Sequence, residues 1–327
     1  MKLTFLLTFI TLLSFGQKEY HFSKKIMLSG DGKWDYMQLD ENKNRLFVTH
    51  QNKVHVLDLK SDSEIKSFDN LNGVHGVALA VKHNKGYISN GMDNVITIFD
   101  YTTLDVLKTI KIEGKKADAI IYDSFSDRLF VFNNGSGDAV AINPNDDAII
   151  GVLELGGAPE FTVSNQRGLL YNNNEDTQEI TVMDSKTLAV TKHFSILPSE
   201  VPTGLAIDLE NNRLFSVCRK DQNLVILDAK DGHIVQRLPI GAGTDAARFD
   251  SKRKLVFAAN GEGNVNVFKQ IDADHFEQIQ DLKTVSGAKT MEFDSKTNRI
   301  FVSAAEFIEG TKNLKKGTFG VYVYSAD

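Results

Sequence analysis

Asp35, His75, Asp118, Glu160, Thr203, Asp245 and Lys289 recur every 40 to 44 residues along the chain. Four carboxylates and an imidazole in such a series are chemically suggestive. Carboxylates held close together either raise their pKa values or recruit a cation, and hard divalent ions such as calcium or magnesium prefer oxygen ligands. Asp35, His75, Asp118 and Glu160 are consecutive in the series and are expected to form an arc of acceptors, the candidate site for a divalent cation or a cationic ligand. Thr203, Asp245 and Lys289 are mixed in charge, and Lys289 is placed to neutralise Asp245. A second series at similar spacing, Asn90, Asn133, Asn172, Arg219 and Asn260, adds amides and a guanidinium. Together the two series form a polar face that suits a small-molecule, cation or protein ligand. The ordinary alternative is a solvated mouth whose small polar residues start tight turns.

Motifs that would commit the chain to catalysis are missing. The eight histidines contain no HExxH pair, and there is no Walker sequence, G-x-S-x-G elbow or EF-hand loop. Cys218, the only cysteine, has a basic neighbour in Arg219 but no histidine close in sequence, and an inert thiol is expected. A lone cysteine also excludes an internal disulfide framework and a multi-cysteine metal or haem site. Glycine clusters such as Asn134-Gly135-Ser136-Gly137 precede strands rather than helices, so they read as turns and not as phosphate cradles.

The elements that must carry these residues come from one repeated unit. An apolar strand ends at a small or acidic residue, a polar turn follows, and a strand of the Arg-Leu-Phe-Val kind comes next. Seven copies end their first strand at Asp40, Ala80, Asp123, Ser164, Asp208, Asp250 and Asp294. A third alternating strand follows in each copy and ends 18 to 20 residues later in six units and 31 later in the seventh. A more polar fourth strand, such as SEIKSF or HIVQRLPI, completes the first six units. Equal periods of this length predict an all-β, seven-bladed β-propeller with four-stranded antiparallel blades. The seventh unit lacks a fourth strand. YHFSKKIML near the N-terminus is its expected donor, because closing the ring that way removes two exposed sheet edges. The candidate series then fall at one end of the central channel.

At this stage SKTNRIFVSAA, ENNRLFSVCRK and NLVILDAKDGHIVQRLPIGAG resemble the YVTN-repeat propellers, and the resemblance covers the whole chain after its first residues. Val74-His75-Gly76 and Pro202-Thr203-Gly204 are similar to that family's blade-opening triplet. Asn143-Pro144 and the short turn from Ser164 to Gly168 depart from its pattern. The resemblance implies an exported protein of shape-based rather than catalytic role. A more distant similarity, to lactonase propellers, implies the alternative of a metal-dependent hydrolase, with Asp35, Asp118 and Glu160 among the cation ligands.

Met1-Lys2 followed by LTFLLTFITLLSF and Gly16 has the form of a signal peptide over residues 1–17, too short for a membrane anchor. Residues 18–327 are then one propeller domain, expected as a periplasmic or secreted monomer without a membrane span. The formal charge of −6 argues against nucleic acid as a partner. The function expected is a non-enzymatic binding or scaffold role, with no certain cofactor. The stretched seventh unit adds a loop, Glu306 to Thr318, with three lysines. It is expected to overhang the channel mouth as a lid or to be an idle insertion.

Overall fold

A computed structural model describes residues 18–326 and contains 28 strands and one short 3-10 turn. The leader expected at residues 1–17 lies outside the described residues. The strands form seven separate four-stranded antiparallel sheets arranged as the blades of a propeller. Inner strands run Trp34–Asp40, Val74–Ala80, Ala117–Asp123, Pro159–Ser164, Pro202–Asp208, Thr244–Asp250 and Met291–Asp294 in blades 1 to 7. All seven end at the positions that the repeat assigns.

The repeat signature is explained by what its residues touch. In blade 1 the Asp40 carboxylate accepts the amides of Asn42 and Lys43 at 3.2 Å, and Asn44 takes the left-handed conformation that the turn requires. Arg45 then begins the second strand, forks onto Asp40 at 2.9 and 3.0 Å, and donates to the Tyr101 carbonyl of blade 2 at 2.8 Å. Cations at the same place in other blades reach across in the same sense: Lys85 to Pro144, Arg128 to Ser185, Arg213 to Ala273 and Arg299 to Leu59. Blade 4 has Leu169 there, and Tyr171 makes the crossing instead, to the Ala229 carbonyl at 2.9 Å. The polar half of the signature is therefore a set of staples from each blade to the next.

The apolar half fills the space between blades. Phe47, Tyr87, Phe130, Tyr171, Phe215, Phe257 and Phe301 occupy equivalent places in the second strands and are all buried. Each fully buried ring of this kind contributes about 1.5–3 kcal/mol. Where inner strands converge, room runs out. A Cβ on Gly204 would lie 2.6 Å from the Ala246 backbone of the neighbouring blade, which is why the opening triplet of blade 5 ends in glycine.

The ring closes through the N-terminal strand. His21–Met27 pairs antiparallel with Gly320–Ser325 and becomes the outermost strand of blade 7. Tyr20 locks the junction. Its backbone exchanges hydrogen bonds with the Gln280 side chain of blade 6 at 2.7 and 2.9 Å, its hydroxyl donates to Asn298 at 2.6 Å, and its ring meets Phe257 edge-on.

Deleting residues 18–29 is therefore expected to abolish cooperative folding or to lower the melting temperature sharply, and Tyr20→Ala to lose about 3 kcal/mol through its buried ring. Circular dichroism melts of the mature chain and both variants provide the check. Unchanged melting after the deletion would contradict closure by this strand.

Candidate functional site

The start of each inner strand pairs with the end of the second strand of its own blade, as in Trp34 with His50, Val74 with Asn90 and Thr244 with Asn260. Both candidate series are thereby carried to the same end of the channel. Their fates there differ.

His75 stands between two carboxylates. Its Nδ1 lies 2.6 Å from Asp35 Oδ2 and 3.2 Å from Asp118 Oδ1, so one imidazole joins blades 1, 2 and 3. Burial favours the neutral ring, but the hydrogen bonds and charges of Asp118 and Asp35 outweigh it and push the His75 pKa up to about 10. The expected arc of acceptors thus has a proton donor at its centre. The ligand atoms of Asp35, His75 and Asp118 lie within 4.8 Å of one another, compact enough for a metal ion to replace that proton.

Glu160 does not join this group. Its carboxyl receives the Tyr36 hydroxyl at 3.3 Å and the Asn134 amide at 3.4 Å, with Arg219 3.8 Å away. Burial first, then the charges of Asp118 and Asp245, raises its pKa well above the usual carboxyl range. On the opposite side Asp245 is paired with both Arg219 and Lys289, the latter as expected. Burial pulls the Lys289 pKa down, but Asp245 and Asp35 prevail and carry it up to about 12. Thr203 is buried, with its hydroxyl bonded to the Val217 and Thr244 carbonyls.

The asparagines expected to line the face are buried within their own blades. Asn90 donates to Val95 O and Thr97 Oγ1, Asn133 to Asp138, Asn172 to Asn174, and Asn260 to Asn264 and Asn266. They bond within hairpins and are not open to an entering ligand. Arg219 alone of that series reaches the mouth, where it also pairs with Glu175 at 3.1 Å. Cys218 is buried, and burial pushes its thiol up to about 12, in keeping with an inert role.

Two features went unmarked in the sequence. The first crosses the channel just below the ring. Tyr36 packs edge-on against Phe161 with centroids 4.9 Å apart, Arg248 lies over the Phe161 ring, and Glu292 holds Arg248 in a fork at 2.7 and 3.0 Å. These residues stand one or three positions after Asp35, Glu160, Asp245 and Lys289. The alternation of a strand places them on the channel side, and that was the available signal. Beneath them lies a separate cavity of about 370 Å³.

The second is a cleft of about 530 Å³ at the mouth, between blades 7, 1 and 2. Asp35, His75 and Lys289 lie among its polar lining, and Trp34, Val74 and Met92 supply apolar walls. The long loop of blade 7 adds Phe307, Lys312 and Leu314. This loop is a small hairpin in which Phe307 bridges Leu314, and it is tied down where Gly317 N donates to Asp31 at 2.9 Å. Gly287 is packed tightly against both aromatic rings: a Cβ there would lie 3.0 Å from Phe307 and 3.1 Å from Trp34.

The raised pKa of His75 has a definite sign. Its stabilising contribution is fully present below about pH 6.5, shrinks as pH rises, and is gone above about 10. The melting-temperature difference between chelator-treated wild type and His75→Gln is therefore expected to be largest at about pH 6 and to shrink toward high pH. A difference that stays flat across this range would contradict the Asp35–His75–Asp118 arrangement.

No protein-family model and no curated protein matches the chain.

Proposed function

We propose that this protein is an exported, non-catalytic binding propeller of the cell envelope, of the YVTN-repeat type, which holds a small molecule in the cleft at its channel mouth. The cleft itself carries the proposal. A concave site of about 530 Å³ with apolar walls and a few polar groups at its base has the size and composition of small-molecule sites in general. Met92 and Phe307 are exposed apolar residues at its edge, which a ligand would cover. The leader-like N-terminus supports export to the periplasm or the exterior.

The chain's single tryptophan, Trp34, lines this cleft, so occupancy is read directly by its fluorescence. A small-molecule screen against the mature protein is expected to yield hits that change Trp34 emission and that lose about tenfold in affinity in Met92→Glu, where a charge stands on the apolar rim. Hits that bind Met92→Glu equally well would place the ligand elsewhere and sink the proposal.

A second reading, a metal-dependent hydrolase, draws on the compactness of Asp35, His75 and Asp118. Such a metal would have to displace the His75 proton, and its affinity would rise with pH. Elemental analysis and calorimetric titration of calcium, magnesium and zinc, with a lactone-hydrolysis screen with and without chelator, decide it. Stoichiometric metal that is lost in Asp118→Asn, together with chelator-sensitive turnover, would favour the enzyme. Metal-free, inactive protein favours the binding propeller.

A further inference from the structure

The same cleft also carries information on the charge of its ligand, an inference that rests on the binding role proposed above. Among its lining residues the fixed cations are Lys33, Lys289 and Lys312, whereas Asp35 is the single carboxylate. That carboxylate is already bonded to His75. Lys289 is paired with Asp245. Lys33 and Lys312 have no ion-pair partner among the described residues, and they approach from different sides, one on blade 1 and one on the loop of blade 7.

The apolar part of the cleft is equally specific. Trp34 and Phe307 both line the cleft and hold Gly287 so closely that no side chain fits there, so each ring turns another of its sides to the cleft. Planar apolar groups gain more than simple area burial when they pack against an aromatic ring, and the Met92 thioether on the adjoining wall adds a favourable sulfur contact.

From these two observations we propose that the cleft binds an organic anion with an aromatic or flat apolar body, typified by an aryl carboxylate. Its body packs against the cleft's apolar lining of Trp34, Met92 and Phe307, and its anionic head lies toward Lys33 and Lys312. The chain as a whole is acidic, but the attraction is local, since charges more than about 8–10 Å away are screened at physiological salt. The acidic and basic groups deeper in the mouth are committed to each other. The two free lysines at the rim therefore decide the preferred sign.

Three probes with the same body and different heads test this: phenylbutyrate, phenylbutylamine and phenylbutanol, titrated into the mature protein with Trp34 fluorescence excited at the red edge as the readout. The acid is expected to bind about tenfold tighter than the alcohol, and the amine most weakly. The double variant Lys33→Gln, Lys312→Gln is expected to remove the acid's advantage while leaving the alcohol's affinity as it was. Both lysines are exposed, so this variant should fold normally, with its melting temperature as the control. An alcohol or amine that binds as tightly as the acid overturns the anionic preference but leaves the cleft as a binding site. An acid whose advantage survives in the double variant overturns the role of the two lysines. Failure of all three probes to perturb Trp34 at millimolar concentration overturns both this inference and the cleft as the binding site.

Discussion

A propeller can hold a site at its axis only if its ring is closed, and here closure depends on one antiparallel pairing, His21–Met27 on Gly320–Ser325. Without it blade 7 would have three strands and two free edges would face each other across the gap. The staples between blades depend on the same closure, because Arg299 of blade 7 bonds to Leu59 and Asp62 of blade 1 only when the two ends of the chain meet. The cleft is formed by blades 7, 1 and 2, with blades 7 and 1 flanking the junction. Its geometry is thus fixed by the contact that completes the fold.

Bringing seven strand starts to one axis imposes an electrostatic constraint as well. Several carboxylates in partly buried positions must be compensated, protonated or solvated. The mouth uses the first two means. His75 is shared by Asp35 and Asp118, Arg219 and Lys289 flank Asp245, and burial pushes the Glu160 pKa upward beside Tyr36. The deep ring is therefore balanced from within, and it holds adjacent blades at a fixed spacing. What is left over for a ligand lies higher, where apolar walls and two unpaired lysines remain.

The fold was legible because most blades repeat one local solution, a turn closed by an aspartate and a cation that crosses to the next blade, and all seven place an aromatic ring between sheets. Periodicity also located the mouth, since equal registers bring Asp35, His75, Asp118, Asp245 and Lys289 to one end. It could not say which of them would pair. That depends on side-chain rotamers in unlike neighbouring blades, and so the arc read as a row of acceptors became a carboxylate–imidazole–carboxylate bridge. The buried asparagines show the opposite limit. Asn90, Asn133, Asn172 and Asn260 look like exposed loop residues in the sequence, yet each turns inward to satisfy polar groups of its hairpin. The cleft escaped notice because the Phe307–Leu314 hairpin that supplies one of its walls has no counterpart in the other blades.

The central claim is that this cleft, which shares Asp35, His75 and Lys289 with the ring, is where the protein meets its ligand. A crystal structure of the mature protein soaked with phenylbutyrate tests it most directly. The account predicts density against Trp34, Met92 and Phe307, with the carboxylate directed to Lys33 and Lys312. Density for the carboxylate at Arg219 and Asp245, in the cavity beneath Tyr36, or on the outer face of the blades would contradict it.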